Sequence, residues 1–146
     1  MAMAFGGEFL VRRKREEVYD FLTDPSRFGP LLPDFQSMAM EDEKHFTMKV
    51  KVGISHIRGI AQVKLHLAEA ERPRHALYEG QGNLAGGSVN LTAGFDLDEG
   101  PEGTRVAWKG EAQIFGQLAS VAGGLLEPLA RKNVQKLIDG LQMALS

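Results

Sequence analysis

The chain has 146 residues, no cysteine and a formal net charge of −2, from 17 basic and 19 acidic residues. Its length suits one domain around one hydrophobic core, so we expect a single domain over residues 1–146. Because both signs of charge are dispersed along the chain, we expect no nucleic-acid partner. The lack of cysteine excludes disulfides, thiolate metal sites and a thiol nucleophile, and it fits a cytoplasmic location.

The N-terminus and the hydropathy favour a soluble protein. Residues 1–5 lead directly into a strand pattern without a basic stretch or a long apolar run, so we expect no signal peptide. No window reaches the uninterrupted apolar length of a membrane-spanning helix. We therefore expect a cytoplasmic protein that contacts a membrane only at its surface.

The first quarter of the chain predicts one strand followed by two short helices. Apolar residues alternate over residues 5–11, which is typical of a strand, and the period becomes helical over residues 14–22. Asp24 and Pro25 then suit the cap and the first position of a second helix. That second short helix or turn carries Phe28, Leu31 and Leu32.

Residues 35–114 read as a series of strands joined by turns. Many positions whose phase points inward hold small residues, namely Gly59, Ala61, Ala76, Gly80, Gly82, Ala93, Gly110 and Ala112. This pattern predicts a curved antiparallel sheet with a hollow in front of it. Such a hollow is typical of a protein that holds an apolar ligand.

The last segment, from about Leu118 to Leu145, predicts a helix long enough to lie across the concave face. Pro128 is expected to kink this helix, because proline removes a backbone hydrogen bond and crowds the preceding turn. The segment 116–124 contains adjacent glycines and is expected to be the most mobile part of the domain. A ligand is expected to enter either there or around residues 28–33. Two apolar stripes are predicted to face the sheet, one of Leu118, Val121, Ala122, Leu125 and Leu129, the other of Ala130, Val134, Leu137, Leu141 and Ala144.

The order of these elements and several short motifs resemble the family of the carbon monoxide dehydrogenase G subunit. That family is a branch of the polyketide cyclase and START-like helix-grip proteins. The motifs are Val18-Tyr19 through Leu22-Thr23-Asp24-Pro25, Leu32-Pro33-Asp34, Lys49-Val50-Lys51-Val52-Gly53, Glu79-Gly80-Gln81-Gly82, Gly103-Thr104-Arg105, Gly116-Gln117-Leu118-Ala119 and Ala130-Arg131-Lys132. The resemblance covers nearly the whole chain. It implies an α+β helix-grip fold of the START/Bet v 1-like kind, a curved antiparallel sheet around a long C-terminal helix with two short helices after the first strand.

The resemblance also implies a function. It points to a non-enzymatic accessory protein of molybdenum hydroxylases such as carbon monoxide dehydrogenase, one that recruits them to the inner membrane or handles their lipophilic quinone. Members often carry cysteines near residues 32–34, where Leu31 and Phe35 stand in this chain, so a thiol role is excluded. Some members have a C-terminal extension that reaches the membrane. Since this sequence ends at Ser146, we expect only transient peripheral contact.

A hydrophobic small molecule, a quinone or another lipid, is therefore the expected ligand, and no other cofactor or metal is expected. Trp108 and Tyr78 are candidates for the wall of the cavity, because each joins an apolar ring to a polar group. Nearby Gly80, Gly82 and Gly110 lack side chains and are expected to leave room for a flat ring. The full set of candidate ligand-binding residues is Phe28, Leu32, Met48, Ile57, Ala61, Tyr78, Gly80, Leu91, Trp108, Leu118, Val121 and Leu125.

Catalytic signals are weak. His45, His56, His66 and His75 all phase outward, and none has the helical spacing of a metalloprotease site. The glycines of residues 79–87 lead into a strand, whereas phosphate-binding loops lead into a helix. Three hypotheses remain: a carrier of a lipophilic ligand, which we favour; a cyclase or aromatase acting on an apolar substrate in the same cavity; and a structural assembly factor with a filled core.

Overall fold

The computed structural model describes residues 1–54, 57–84 and 86–146. Within them, seven strands form one antiparallel sheet in the order β1-β7-β6-β5-β4-β3-β2. The strands are β1 (Ala2–Val11), β2 (Phe35–Met40), β3 (His45–Ile54), β4 (Ile57–Glu71), β5 (His75–Leu84), β6 (Gly87–Gly100) and β7 (Gly103–Gly116). From β2 to β7, each strand pairs with the next strand in the chain. The first strand, β1, pairs with β7 at the other edge of the sheet.

The helices lie where the sequence predicts them. They are α1 (Arg15–Leu22), α2 (Pro25–Phe28), which continues into a 3-10 turn (Gly29–Leu31), and α3 (Gln117–Ala144). Asp24 caps α2 by accepting a hydrogen bond of 3.1 Å from the Ser26 backbone N–H, and Pro25 occupies the first turn. The predicted α+β fold, with two short helices after the first strand and one long helix at the end, is confirmed.

Period-two alternation places one face of each strand towards the helices. On β7, for example, Thr104, Val106 and Ile114 are buried while Arg105 and Glu111 are exposed. The larger of two hydrophobic clusters lies beneath α1, α2 and the C-terminal half of α3. Its buried members include Val11, Val18, Leu97, Val106 and Leu141.

The smaller cluster lies beneath the N-terminal half of α3. Met3, Ile114 and Leu126 are its buried members, and Phe5, Val52, Val89, Ala112, Ala119, Leu129 and Ala130 pack against them. The two halves of α3 therefore rest on different parts of the sheet. Pro128 lies inside this continuous helix, and the predicted kink there stays a prediction.

The predicted inward stripes of α3 need two corrections. Leu125 is 52% exposed, whereas the neighbouring Leu126 is only 9% exposed and packs against the sheet. A helix turns by about 100° per residue, so only one of two adjacent leucines can face the core. The leucine that faces the sheet at this level is Leu126. Ala144, at the end of the second stripe, is also exposed.

Candidate functional site

An apolar cavity of about 210 Å³ lies between the sheet and the N-terminal half of α3. Six strands (β1 and β3 to β7) and the helix α3 line it. The lining residues are Met3, Val52, Ala61, Asn83, Gly87, Ser88, Val89, Ile114, Leu126, Leu129, Ala130 and Asn133. It is the apolar space that the fold leaves between the sheet and the long helix.

Small side chains on both walls keep the space open. Ala61 lies on β4, opposite Val50 of β3, and Ala130 lies on the helix that covers the sheet. Met3 and Ile114 of the sheet and Leu126 of the helix are buried together beside the cavity. The cavity thus lies between the sheet and the N-terminal half of α3.

The helical wall follows from the spacing of α3. Leu126, Leu129, Ala130 and Asn133 are separated by three, four and seven positions and so share one face. The first three are apolar, while Asn133 brings an amide into the wall. Asn133 is half-buried, in contrast to Asn83 and Ser88, which are exposed register partners on β5 and β6.

No described residue that lines this cavity has an ionisable side chain. Asparagine and serine supply its only side-chain polar groups within the described lining. The cavity can therefore shield an apolar body from water and form hydrogen bonds. Acid–base chemistry would require a titratable group from elsewhere.

One of the predicted ligand-binding residues, Ala61, lines this cavity. Five others lie together in the larger hydrophobic cluster at the opposite end of the molecule. They are Phe28, Leu32, Met48, Tyr78 and Trp108. Their role in ligand binding stays a prediction; in the structure Met48 and Tyr78 are buried in this cluster, and Phe28, Leu32 and Trp108 pack against it.

Tyr78 is the centre of an aromatic group in that cluster. Its ring meets the rings of Phe28 and Phe46 edge-on, each at a centroid distance of 5.8 Å. Its hydroxyl donates a hydrogen bond of 2.8 Å to the Leu22 carbonyl at the end of α1. Burial is the main cause that raises the pKa of Tyr78 above its ordinary value. The protein itself thus supplies a hydrogen-bond partner for the Tyr78 hydroxyl.

The expectation that Gly80 and Gly82 leave room for a flat ring is wrong. A Cβ on Gly80 would lie 2.6 Å from Leu65 Cδ2, and one on Gly82 would lie 3.0 Å from Val63 Cγ2. Neighbouring side chains of β4 therefore fill both spaces. Gly110 differs, since its nearest such contact is the Thr92 carbonyl oxygen at 3.8 Å.

Trp108 also fills the space above a glycine. It pairs with Gly7 of β1, and a Cβ there would lie 3.2 Å from Trp108 Cζ2. Leu91 is half-buried on β6, in register with Gly80 and Ala112. Leu125 faces away from the sheet, as described above. Of the remaining candidates, the side chains of Ile57, Leu118 and Val121 lie outside the described residues.

A larger depression of about 540 Å³ lies on the outer face of the sheet. It runs between two rows of mostly exposed polar side chains that cross four strands. The rows are Lys64, Gln81, Asn90 and Gln113, and His66, Glu79, Thr92 and Glu111. Despite its size it is a solvated groove of mixed charge, so we place the candidate site in the smaller apolar cavity.

Three of the four histidines lie on this outer face, and His56 lies outside the described residues. His75 is the least exposed of the three. Its Nε2 lies 2.9 Å from Glu69 Oε1, and its Nδ1 lies 2.8 Å from Asp96 Oδ1. Hydrogen bonds to Glu69 and then Asp96 raise the pKa of His75 above its ordinary value. Across the described residues, no group of three or more histidine, aspartate or glutamate side chains could hold a metal ion.

Comparison with known proteins identifies the family. The family of the carbon monoxide dehydrogenase G subunit (CoxG) matches residues 7–146. The chain belongs to the CoxG family. A comparison with curated proteins gave no match. In the part of the chain that is described, no helix of this CoxG-family member is both long and apolar enough to cross a membrane.

Solved structures share the fold of this CoxG-family chain at low sequence identity. A conserved protein from Geobacillus kaustophilus has a TM-score of 0.84 at 20% identity, over 98% of this chain and 95% of that one. A protein from Thermus thermophilus has a TM-score of 0.68 at 16% identity, over 97% and 95%. The di-domain ARO/CYC StfQ from the steffimycin biosynthetic pathway has a TM-score of 0.66 at 9% identity, over 98% of this chain and 50% of that one. These likenesses agree with the predicted helix-grip architecture.

Proposed function

We propose that this protein is a non-enzymatic accessory protein that binds a lipophilic molecule, an isoprenoid quinone, between its sheet and α3. The observation that carries the proposal is the apolar cavity beneath the N-terminal half of α3. Burying apolar ligand surface there is worth about 25 cal/mol per Å². An apolar ring is therefore the kind of group that this space favours.

The size of the cavity limits how much of the ligand it holds. Ligand pockets commonly measure about 300–1,000 Å³, whereas this one is about 210 Å³. A ring or a chain segment fits, and the rest of a long isoprenoid molecule must leave through an opening. The N-terminal half of α3 supplies that opening in our proposal, since Leu137, Ile138 and Leu141 hold the C-terminal half in the larger cluster.

The proposed partner is a molybdenum hydroxylase of the carbon monoxide dehydrogenase type. The description of the family supports this partner. Exposed Leu125 and Phe115, in and just before the N-terminal half of α3, provide apolar surface for transient contact with the inner membrane. In this mechanism the protein exchanges quinone between the membrane and the enzyme without altering it.

A cyclase or aromatase that acts on an apolar substrate is the second candidate. Its support is the similarity of fold to StfQ, but one fold hosts many activities. The described lining of the cavity, with no ionisable side chain, favours a carrier over acid–base catalysis. Formation of a cyclised product from a polyketide-like substrate would support this alternative.

The test of the carrier is to fill the cavity. Protein purified without detergent is extracted with organic solvent for mass spectrometry, and binding of a short-chain quinone is titrated. We expect Ala61→Phe to keep a near-native thermal midpoint and to lose most of its affinity, because new bulk occupies an existing void. Ala39→Phe, at an exposed position of edge strand β2, is the matched control that should bind normally.

Two results would contradict the carrier. Wild-type protein that neither carries a lipophilic molecule nor binds quinone would favour the structural assembly factor. A stable Ala61→Phe variant that binds as tightly as wild type would place the ligand elsewhere.

A further inference from the structure

Among the described residues of the helical wall, Asn133 is the one with a polar side chain, and it is half-buried. It lies one helical turn beyond Leu129 and Ala130, on the same face of α3. No residue in the described part of the chain forms a hydrogen bond with its amide group. The other described residues of this wall, Leu126, Leu129 and Ala130, have apolar side chains that cannot form a hydrogen bond with the amide.

An asparagine at this position works against local stability. Asparagine is a poorer helix former than leucine or alanine. Because Asn133 is only half-buried, its amide stays hydrated while the cavity is empty; a ligand that displaces this water leaves the amide in need of a new hydrogen-bond partner. A ligand that carries an oxygen atom next to an apolar ring would supply the partner.

From this arrangement we infer that Asn133 selects the ligand by a hydrogen bond to an oxygen atom on its ring. The inference rests on the proposed function and sharpens its ligand class. A side-chain amide has both a donating NH₂ and an accepting oxygen. Asn133 can therefore donate to the carbonyl oxygen of a quinone and, after rotation of the amide, accept from the hydroxyl of the corresponding quinol.

This dual capacity has a functional consequence. A site built on lysine or arginine would only donate, and one built on an ionised carboxylate would only accept. With asparagine, the oxidised and reduced forms of one ring are both held, as exchange in either direction requires. The side chain acts on binding alone, and no electron transfer is assigned to it.

The experiment compares three probes of nearly the same ring shape: 1,4-naphthoquinone, 1,4-naphthohydroquinone under anaerobic conditions, and naphthalene. Wild-type protein should bind both oxygenated probes more tightly than naphthalene. In Asn133→Leu, whose side chain has nearly the same shape, affinity for the two oxygenated probes should fall about tenfold, the effect of one lost hydrogen bond. Naphthalene should bind as well as before or better.

Asn133→Asp at about pH 8 provides a second variant that keeps a polar side chain. Its ionised carboxylate accepts but does not donate, so it should retain the hydroquinone and lose the quinone. A variant that separates the two redox forms in this way would not be explained by a merely structural role. Thermal midpoints of both variants check that the fold is intact.

The remaining outcomes separate this inference from the proposed function. Equal affinity of wild type for all three probes, or a preference that survives in Asn133→Leu, overturns the role of Asn133 while the carrier stands. Loss of all three probes alike in Asn133→Leu shows that residue 133 shapes the cavity and overturns the inference as well. If wild type binds none of the probes, the carrier itself fails, and the inference with it.

Discussion

Leu65 of β4 occupies the space that Gly80 of β5 leaves open on the concave face of the sheet. The two residues are register partners, and a Cβ on Gly80 would lie 2.6 Å from Leu65 Cδ2 and 2.9 Å from the Lys64 carbonyl oxygen. A real Cβ does not approach other atoms so closely. Gly80 thus lies where β4 and β5 pack closely and leave no void. The cavity beneath α3, in contrast, is open space.

We expect Gly80→Ala to destabilise the protein by about 1–3 kcal/mol, the usual cost of overpacking a core. The Leu65 side chain can rotate away, but the Lys64 carbonyl belongs to the sheet and cannot move without disturbing the β4–β5 pairing. The free energy of unfolding from urea denaturation measures the effect.

Gly110→Ala is the matched control, because Gly110 lies on the same face of the sheet and its nearest such contact is 3.8 Å away. Alanine there should be neutral or stabilise by up to about 1 kcal/mol, since it reduces the freedom of the unfolded chain. Equal losses in the two variants would show that glycine is needed for the backbone at both positions and not for packing at Gly80.

Tyr78→Phe tests the hydrogen bond that joins the sheet to the end of α1. The hydroxyl of Tyr78 is buried and donates to the Leu22 carbonyl. Its removal should cost about 0.5–1.5 kcal/mol, and more if the carbonyl is left without a partner. Tyr78→Leu would also remove the edge-on contacts with Phe28 and Phe46, so it should cost more than Tyr78→Phe. Thermal unfolding of the two variants separates the ring from the hydroxyl.

The architecture could be predicted from the sequence because local patterns determine it. Alternation fixes the strands and their inward faces, and Asp24 followed by Pro25 marks the start of α2. The sequence predicts that a cavity exists on the concave face, but it does not predict where on that face the cavity lies. Whether a glycine leaves a void depends on the residue across the strand, as Leu65 and Gly80 show, and the register of pairing is not visible in a pattern of period two.

The orientation of α3 shows a second limit of the sequence. Leu125 and Leu126 are equally apolar neighbours, so periodicity cannot decide which faces the sheet. Asn133 was missed for a related reason. Asn133 lies at an inward position of α3, seven residues after Leu126. A search for apolar residues at helical spacing does not select it, because its side chain is polar.

His75 predicts a pH dependence of stability. Glu69 and Asp96 raise the pKa of His75 in the folded state above about 6.5, its ordinary value. The folded protein therefore binds this proton more tightly than the unfolded chain. The contribution of protonated His75 to the free energy of unfolding is therefore fully present below about pH 6.5. It is lost as the pH rises through the raised pKa of His75 in the folded state.

His75→Gln should accordingly be less stable than wild type at about pH 5.5, by roughly 0.5–1 kcal/mol for two exposed pairs, and close to it at about pH 9. Asp96→Asn should reduce the pH dependence in part, since one of the two carboxylates remains. Chemical denaturation across this range, with NMR titration of the imidazole, measures both. A difference between wild type and His75→Gln that is independent of pH would assign the effect to packing.

Two adjacent leucines, Leu125 and Leu126, test the helical wall of the cavity. Leu126 is buried between α3 and the sheet and lines the cavity, whereas the adjacent Leu125 is about half exposed. Leu126→Ala should cost about 2–5 kcal/mol, as other buried leucines do, and Leu125→Ala should change stability by less than about 0.5 kcal/mol. Leu126→Ala should also enlarge the cavity, so the variant should gain affinity for a bulkier apolar ring while Leu125→Ala does not. A larger cost for Leu125→Ala than for Leu126→Ala would mean that α3 is rotated relative to the sheet in solution and that Leu125 lines the cavity instead; equal costs would contradict the burial difference between the two leucines.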